Sequence, residues 1–234
     1  MRIGLNSVRY LVSTRIDHES LAIGACYAIA HAVNVLEDAA LLYSQKRASS
    51  SFHLAVMARE ELGRFNLLAE RHHGLPANEY VDGTELLRHL QPHKIKLLAG
   101  QSVVPVPMTL EELRVWQAAI ERNDETASSA ISQQIRTRAA KLKSHQVAAL
   151  HQQRLKAQYV DLDPQTGQWS RPSEVSMADA STLICTVMAE IANALIAAQG
   201  AGWIHAAFAS IGEHRPDMGP FTHRIFARLG EGDT

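Results

Sequence analysis

The sequence predicts an all-α fold, a bundle of about five long helices with a small β-hairpin inserted near residues 157–171. Three observations carry this. Aromatic residues make up only 6% of the chain, β-branched runs are few and alanines are many, a composition that favours helix over sheet. Apolar residues between Ser20 and Gln45 recur at three- and four-residue steps, the stripe of an amphipathic helix. The breaks around residues 46 and 75 are short, which makes neighbouring helices run up and down.

Each element has its own signal. The first helix, from about Ser20 to Gln45, carries Leu21, Ala25, Ala28, Ala32, Val35, Leu36, Ala39 and Leu42 on one face. The second follows Lys46-Arg47, with Ser49, Ser50 and Ser51 as N-cap candidates, and runs to His73 before the stop signal of Gly74 and Pro76. A third starts at Asp82 or Thr84 and continues to Gly100, kinked or restarted at Pro92. Ser102 to Met108, with Pro105 and Pro107, reads as a linker. Thr109 and Glu112 form a capping box that opens a fourth helical region reaching about Lys156, with a possible break near Asn123-Asp124. Residues 157–162 alternate like a strand, 163–167 hold turn residues, and 168–170 return, which gives the expected hairpin. A last long helix, from about Ser176 to Ser210, bends at Gly200 and Gly202. The organisation expected is a lead-in over 1–19, a helical domain over 20–211, and a tail over 212–234 that is loose or weakly docked.

Composition removes several classes of function. With 23 Lys+Arg against 24 Asp+Glu the net charge is −1, so general coating of nucleic acid is excluded while a local basic patch is not. Cys26 and Cys185 stand alone, as in a reducing cytoplasm, and form neither a disulfide framework nor a zinc site. No continuous apolar run of about 20 residues is found, so no membrane span is expected, and no signal peptide is read. Phosphate-binding glycine loops, nucleophile elbows and the His-Glu-x-x-His zinc motif are absent. The one Glu-x-x-His, Glu70 to His73, has no second copy to build a two-metal centre, and suits a helix end.

Three polar constellations remain. In Arg59-Glu60-Glu61-Leu62-Gly63-Arg64, Glu60 and Arg64 are four apart and can pair, while Glu61 beside Leu62 and Phe65 is expected to point inward. The plain alternative is a solvated face with one salt bridge. His93 and Lys96 share a helix face, where a neighbouring cation would keep the imidazole neutral as a base. The alternative is an amphipathic helix with surface cations. Arg136, Arg138, Lys141, Lys143, Arg154 and Lys156, with His145 and His151, form a basic run without acids that can meet phosphates, or simply a solvated face.

The segments Ala32-Val33-Asn34-Val35-Leu36-Glu37-Asp38-Ala39, Leu54 to Arg64, His93-Lys94-Ile95-Lys96 and Leu155 to Asp161 with Gly167, Trp169 and Pro172 occur in an order and spacing that resemble the AbiV-type abortive-infection proteins of the HEPN superfamily. The resemblance covers residues 20–200. Where the family pattern has lysine after Glu-Glu-Leu-Gly, this chain has Arg64, whose planar guanidinium suits pairing or phosphate contact. The resemblance implies a HEPN-like bundle, often dimeric, in bacterial anti-phage defence, and in many superfamily members a metal-independent endoribonuclease with an Arg-x4-6-His motif. Arg47–His53, Arg88–His93 and Arg138–His145 have such spacings, of which only the last is nearly aligned on a helix. The motif usually lies on the late helix, and here residues 176–210 hold His205 but no arginine.

Two functions follow. One is an RNA-directed effector without metal or other cofactor, with His93 as acid or base, Arg64, Arg88 and Lys96 as phosphate ligands, and Glu61 orienting a cation. In it Arg136, Arg138, Lys141, Lys143 and His145 hold RNA. The expected setting is a cytoplasmic homodimer with no membrane attachment, triggered by a phage-encoded activator or host protein. The other is a non-enzymatic helical module that binds a phage or host protein and arrests growth by binding. An open groove formed by Glu61, Arg64 and His93 would favour the first, and a sealed, mutually paired network the second.

Overall fold

The first helix, α1 (His18–Ser44), begins where Asp17 holds extended backbone and its carboxylate accepts the Ser20 N–H at 2.8 Å. The computed structural model describes residues 14–76, 78–101, 133, 137, 146–155, 157, 175–199 and 201–232. All of the expected α1 stripe except the half-buried Leu42 is buried. Its alanines are small enough for the four helices around it to approach closely.

A tight turn with Lys46 at φ +60 leads into α2 (Ala48–Gly74). The expected serine cap is not used. Arg47 is the N-cap residue and makes no side-chain cap bond. Ser51 is instead fully buried, and its hydroxyl donates to the Ala39 carbonyl at 2.8 Å, stitching α2 onto α1.

The third expected helix is two. α3 (Gly83–Leu90) is capped by Asp82, whose carboxylate accepts the N–H groups of Thr84 and Glu85, both at 2.9 Å. Pro92 then ends one helix and caps the next, α4 (His93–Gly100): it has no N–H to continue the ladder of α3, and its own backbone is extended at ψ 123°. α4 crosses α2 with almost no separation. A Cβ on Gly63 would overlap the Lys96 carbonyl, and one on Gly100 would overlap the Arg59 carbonyl. Two glycines therefore set this crossing.

A two-stranded antiparallel sheet, β1 (Arg15–Ile16) with β2 (Val81–Asp82), ties the approach to α1 to the start of α3, in the register Arg15↔Asp82 and Ile16↔Val81. Strands of two residues are too short to show alternation in sequence. The expected hairpin near 157–171 lies outside the described residues, except that Ala157 is helical rather than extended. The linker and the capping box at Thr109 also lie outside them, while residues 146–155 are helical as expected.

The late helix is interrupted where its glycines predict, giving α5 (Met177–Gln199) and α6 (Gly202–Ser210). The expected loose tail is corrected. α7 (Met218–Gly232) packs on α1 and buries Phe221, Ile225 and Leu229 at i, i+4 and i+8, a helical stripe that the tail's glycines and prolines obscured. Arg224 fastens it to Glu37 of α1 at 2.6 Å, and Lys46 donates to the Gly232 carbonyl.

α1 is the hub, in contact with α2, α5, α6 and α7. Its Leu21, Ile29 and Leu36 meet a core that includes Leu62, Ile184, Ile191, Ile204 and Phe221, all buried. Each such side chain contributes about 1.5–3 kcal/mol on burial. Two helices among the described residues are long and apolar enough to cross a membrane, α1 with a hydropathy of 1.3 and Met177–Ala198 with 1.6, and 56% and 44% of these stretches are buried in the bundle. The sequence expectation of no such run is revised to that extent. Both are core helices here.

Candidate active site

Glu60 is the centre of a polar cluster built by three elements. On α2, His53 and Glu60 are seven apart, two helical turns, and share a face. α4 brings His93 and Lys96, three apart. The helical segment 146–155 brings His151 and Arg154, also three apart. The Glu60 carboxylate is 5% exposed and accepts from His93 Nδ1 at 2.7 Å. Lys96 Nζ lies 3.7 Å from it and the Arg154 guanidinium 3.5 Å, with those side chains 7% and 11% exposed. His93 is the open member, 48% exposed, so binding Nδ1 to Glu60 orients the ring with Nε2 free for another partner. The His93 and His151 rings stack 6.4 Å apart at 26°.

The surroundings fix the charge of two histidines. Burial, then Arg154, hold His53 below the ordinary histidine value of 6.5, with Glu60 opposing. Burial, then Arg154, Lys94 and His93, hold His151 below it, again against Glu60. His151 is thus a neutral imidazole at pH 7, beside a second imidazole anchored on a carboxylate.

A second aromatic cluster joins the start of α1, the end of α2 and the start of α6. The His72 ring lies 4.9 Å from His18 and 4.6 Å from Trp203. Burial, then His18 and His73, keep His72 below 6.5. His53, His72 and His151 therefore give a common pH dependence. As pH falls through about 6.5 the unfolded chain takes up protons that the folded chain refuses. Stability is full above that value, declines below it, and levels once pH is under the lowered folded values. Thermal unfolding followed by circular dichroism should move to lower temperature between about pH 7.5 and 5.5. A midpoint that holds or rises would contradict these environments.

The expected site residues divide. His93 and Lys96 are in the cluster. Glu61 and Arg64 pair with each other at 2.7 Å, three apart on α2, and do not converge with His93. The expected Glu60–Arg64 pair does not form; Glu61 is largely covered, its side chain 13% exposed, but the cluster is centred on Glu60. Sequence neighbours stand about 100° apart on a helix, so Glu60 and Glu61 serve different neighbours, Glu60 the cluster and Glu61 the half-buried Arg64. Glu60 is four from Val56 and three from Gly63, both buried, and that spacing was the available signal. Arg88 is exposed on the rim of a groove of about 770 Å³ lined by Leu67, Arg71, Val81 and Leu86, among others, but by none of the Glu60 cluster. Arg136, Arg138, Lys141, Lys143 and His145 lie outside the described residues. Arg47 is exposed at the α2 N-cap.

Beside Glu60, Arg59 turns the other way and makes a buried two-point ion pair with Glu190 of α5, Nε to Oε2 at 2.8 Å and Nη2 to Oε1. Sequence reading did not find it, because its partner is 131 residues away. Among the described residues no group of three or more His, Cys, Asp or Glu is placed to hold a metal ion.

The family model for AbiV, of the HEPN type, matches residues 21–193, which contain every member of the Glu60 cluster. No curated protein and no solved structure matches the chain. The all-helical bundle and the ordered motifs agree with that match, and the chain belongs to the AbiV family of HEPN proteins, a family of abortive infection in anti-phage defence.

Proposed function

We infer that this chain is an abortive-infection effector that acts on RNA in the bacterial cytoplasm as a metal-independent endoribonuclease. The observation that carries the reading is the stacked pair His93–His151, one imidazole facing a buried carboxylate and the other facing cations. Two imidazoles in different environments can divide the roles of acid and base. His151, neutral, takes the proton of a ribose 2′-hydroxyl. The 2′-oxygen then bonds to phosphorus, the bond from phosphorus to the 5′-oxygen breaks, and His93 delivers a proton from Nε2 to that oxygen. The products are a 2′,3′-cyclic phosphate and a 5′-hydroxyl. In this scheme Glu60 is a positioning residue for His93. The basic run at 136–145 holds the RNA strand, a second copy of the chain pairs with the first, and a phage-encoded or host component triggers activity. Arg64, Glu61 and Arg88 act only outside the acid–base centre.

One observation favours the second reading, a non-enzymatic interaction module. Glu60, Lys96 and Arg154 are nearly sealed, as a network that fixes three helices would be. One experiment separates the two. The purified chain is incubated with total bacterial RNA and with tRNA in the presence of a chelator, beside His93→Ala, His151→Ala and His145→Ala. Cleavage should fall about 10²–10⁴-fold in the first two variants and much less in the third, whose histidine belongs to the run that holds the strand. Intact RNA with the wild-type protein, or cleavage by His93→Ala and His151→Ala as fast as by the wild type, would move the conclusion to the interaction module.

A further inference from the structure

We propose that Arg154 and Lys96 form an oxyanion seat that takes a phosphate group. The inference rests on the ribonuclease reading only for the source of that phosphate. Its basis is an imbalance in the buried charges. Among the described residues two cations, Lys96 and Arg154, face one carboxylate, Glu60, and all three side chains are nearly sealed from water. Burying a charge without full compensation is costly, so such a surplus normally has an anionic partner.

Hydrogen bonding sharpens the point. Glu60 spends its close contact on His93 at 2.7 Å. Both cations stand off at 3.5 and 3.7 Å, beyond the 2.7–2.9 Å of a charge-assisted bond. Among the described residues neither has a further interaction. Arg154 Nε, Glu60 Oε1 and the Nδ1 atoms of His53 and His151 are all buried on this cluster without a hydrogen-bond partner, three nitrogens against one oxygen. Several unfilled nitrogen sites around a net positive charge call for a ligand with several acceptor oxygens and negative charge. A phosphate group has both. Its way in is beside His93, the exposed member, where the Arg154 side chain keeps 11% of its surface open. The seat lies next to the imidazole pair, so a bound phosphodiester would put its phosphorus between them. Inorganic phosphate has the same recognition chemistry and would compete for the place.

The test uses the full chain at pH 7 and constant ionic strength. Inorganic phosphate should raise the unfolding temperature above that in an equal ionic strength of sodium chloride. Calorimetric titration should give one phosphate per chain. Arg154→Gln should weaken binding at least tenfold, with Arg154→Lys as the charge-retaining control should the glutamine variant fold poorly. Phosphate that stabilises no more than chloride, or equal binding by folded Arg154→Gln and wild type, overturns the seat. A 2′-O-methyl RNA oligonucleotide, which cannot be cleaved by its own 2′-oxygen, distinguishes the sources. If it displaces phosphate, the seat serves a phosphodiester. If phosphate binds at Arg154 and the oligonucleotide does not compete, the seat stands as a site for free phosphate and the ribonuclease reading fails. If RNA is cleaved through His93 and His151 while phosphate ignores Arg154, the seat fails and that reading stands.

Discussion

Gly63→Ala is expected to destabilise the protein by about 3 kcal/mol and to abolish the Glu60–His93 contact. The added methyl group would occupy the space of the Lys96 carbonyl and approach the Gly100 backbone, so no side-chain rotation can relieve it. The helices α2 and α4 must separate. His93 and Lys96 ride on α4 and would withdraw from Glu60 together. Urea unfolding would report the loss as a lower midpoint with an unchanged slope. Gly74→Ala is the control. Nothing lies within 4 Å of a Cβ there, and alanine is the better helix former, so its stability should match or slightly exceed the wild type. A Gly63→Ala protein as stable as Gly74→Ala would mean that α4 does not cross α2 this closely.

Glu190→Leu should cost about 3–5 kcal/mol, because it leaves the Arg59 guanidinium buried without its carboxylate. Arg59 donates through two nitrogens to this one partner. Replacing both residues, with Arg59→Leu, removes the stranded charge and should recover much of the loss. The exposed pair Arg71–Glu85 offers a scale. Its side chains are 49% and 64% accessible, and Glu85→Ala should change stability by less than about 1 kcal/mol. If Glu190→Leu and Glu85→Ala proved equal, the pair between α2 and α5 would not be buried in solution. Arg59 immediately precedes Glu60, so the same variant should disturb the candidate site by letting α2 shift against α5.

Local signals were the legible part of this chain. The alanine and leucine stripe of α1, the break at Pro92 and the break before α6 each depend on residues a few positions apart, which periodicity and backbone chemistry report directly. The candidate site was half legible. His93 and Lys96 share a turn of one helix, and their spacing was enough. Glu60 is visible as a carboxylate, but its spacing suggests Arg64 as its partner, and Arg64 pairs with Glu61 instead. Its cations come from α4 and from the segment 146–155, and His151 and Arg154 read in sequence as members of a surface run. Nothing local says that a basic helix turns two of its residues onto a distant carboxylate. The same holds for Arg59 and Glu190, and for α7, whose three core residues sit among glycines and charged residues that suggest a loose tail.

The hub position of α1 has a consequence in time. During synthesis α1 and α2 emerge first and can pair as a hairpin, since their contacts are local. The other flank of α1, including Glu37 and Tyr43, waits for α7, made nearly a whole chain length later. The site waits as well, because His151 and Arg154 follow the α2–α4 half of the cluster. A partly made chain therefore carries Glu60 and His93 without their third side, on a hairpin whose apolar flank is uncovered. A site whose third side comes from a later segment is complete only once that segment has been made and has packed onto the hairpin.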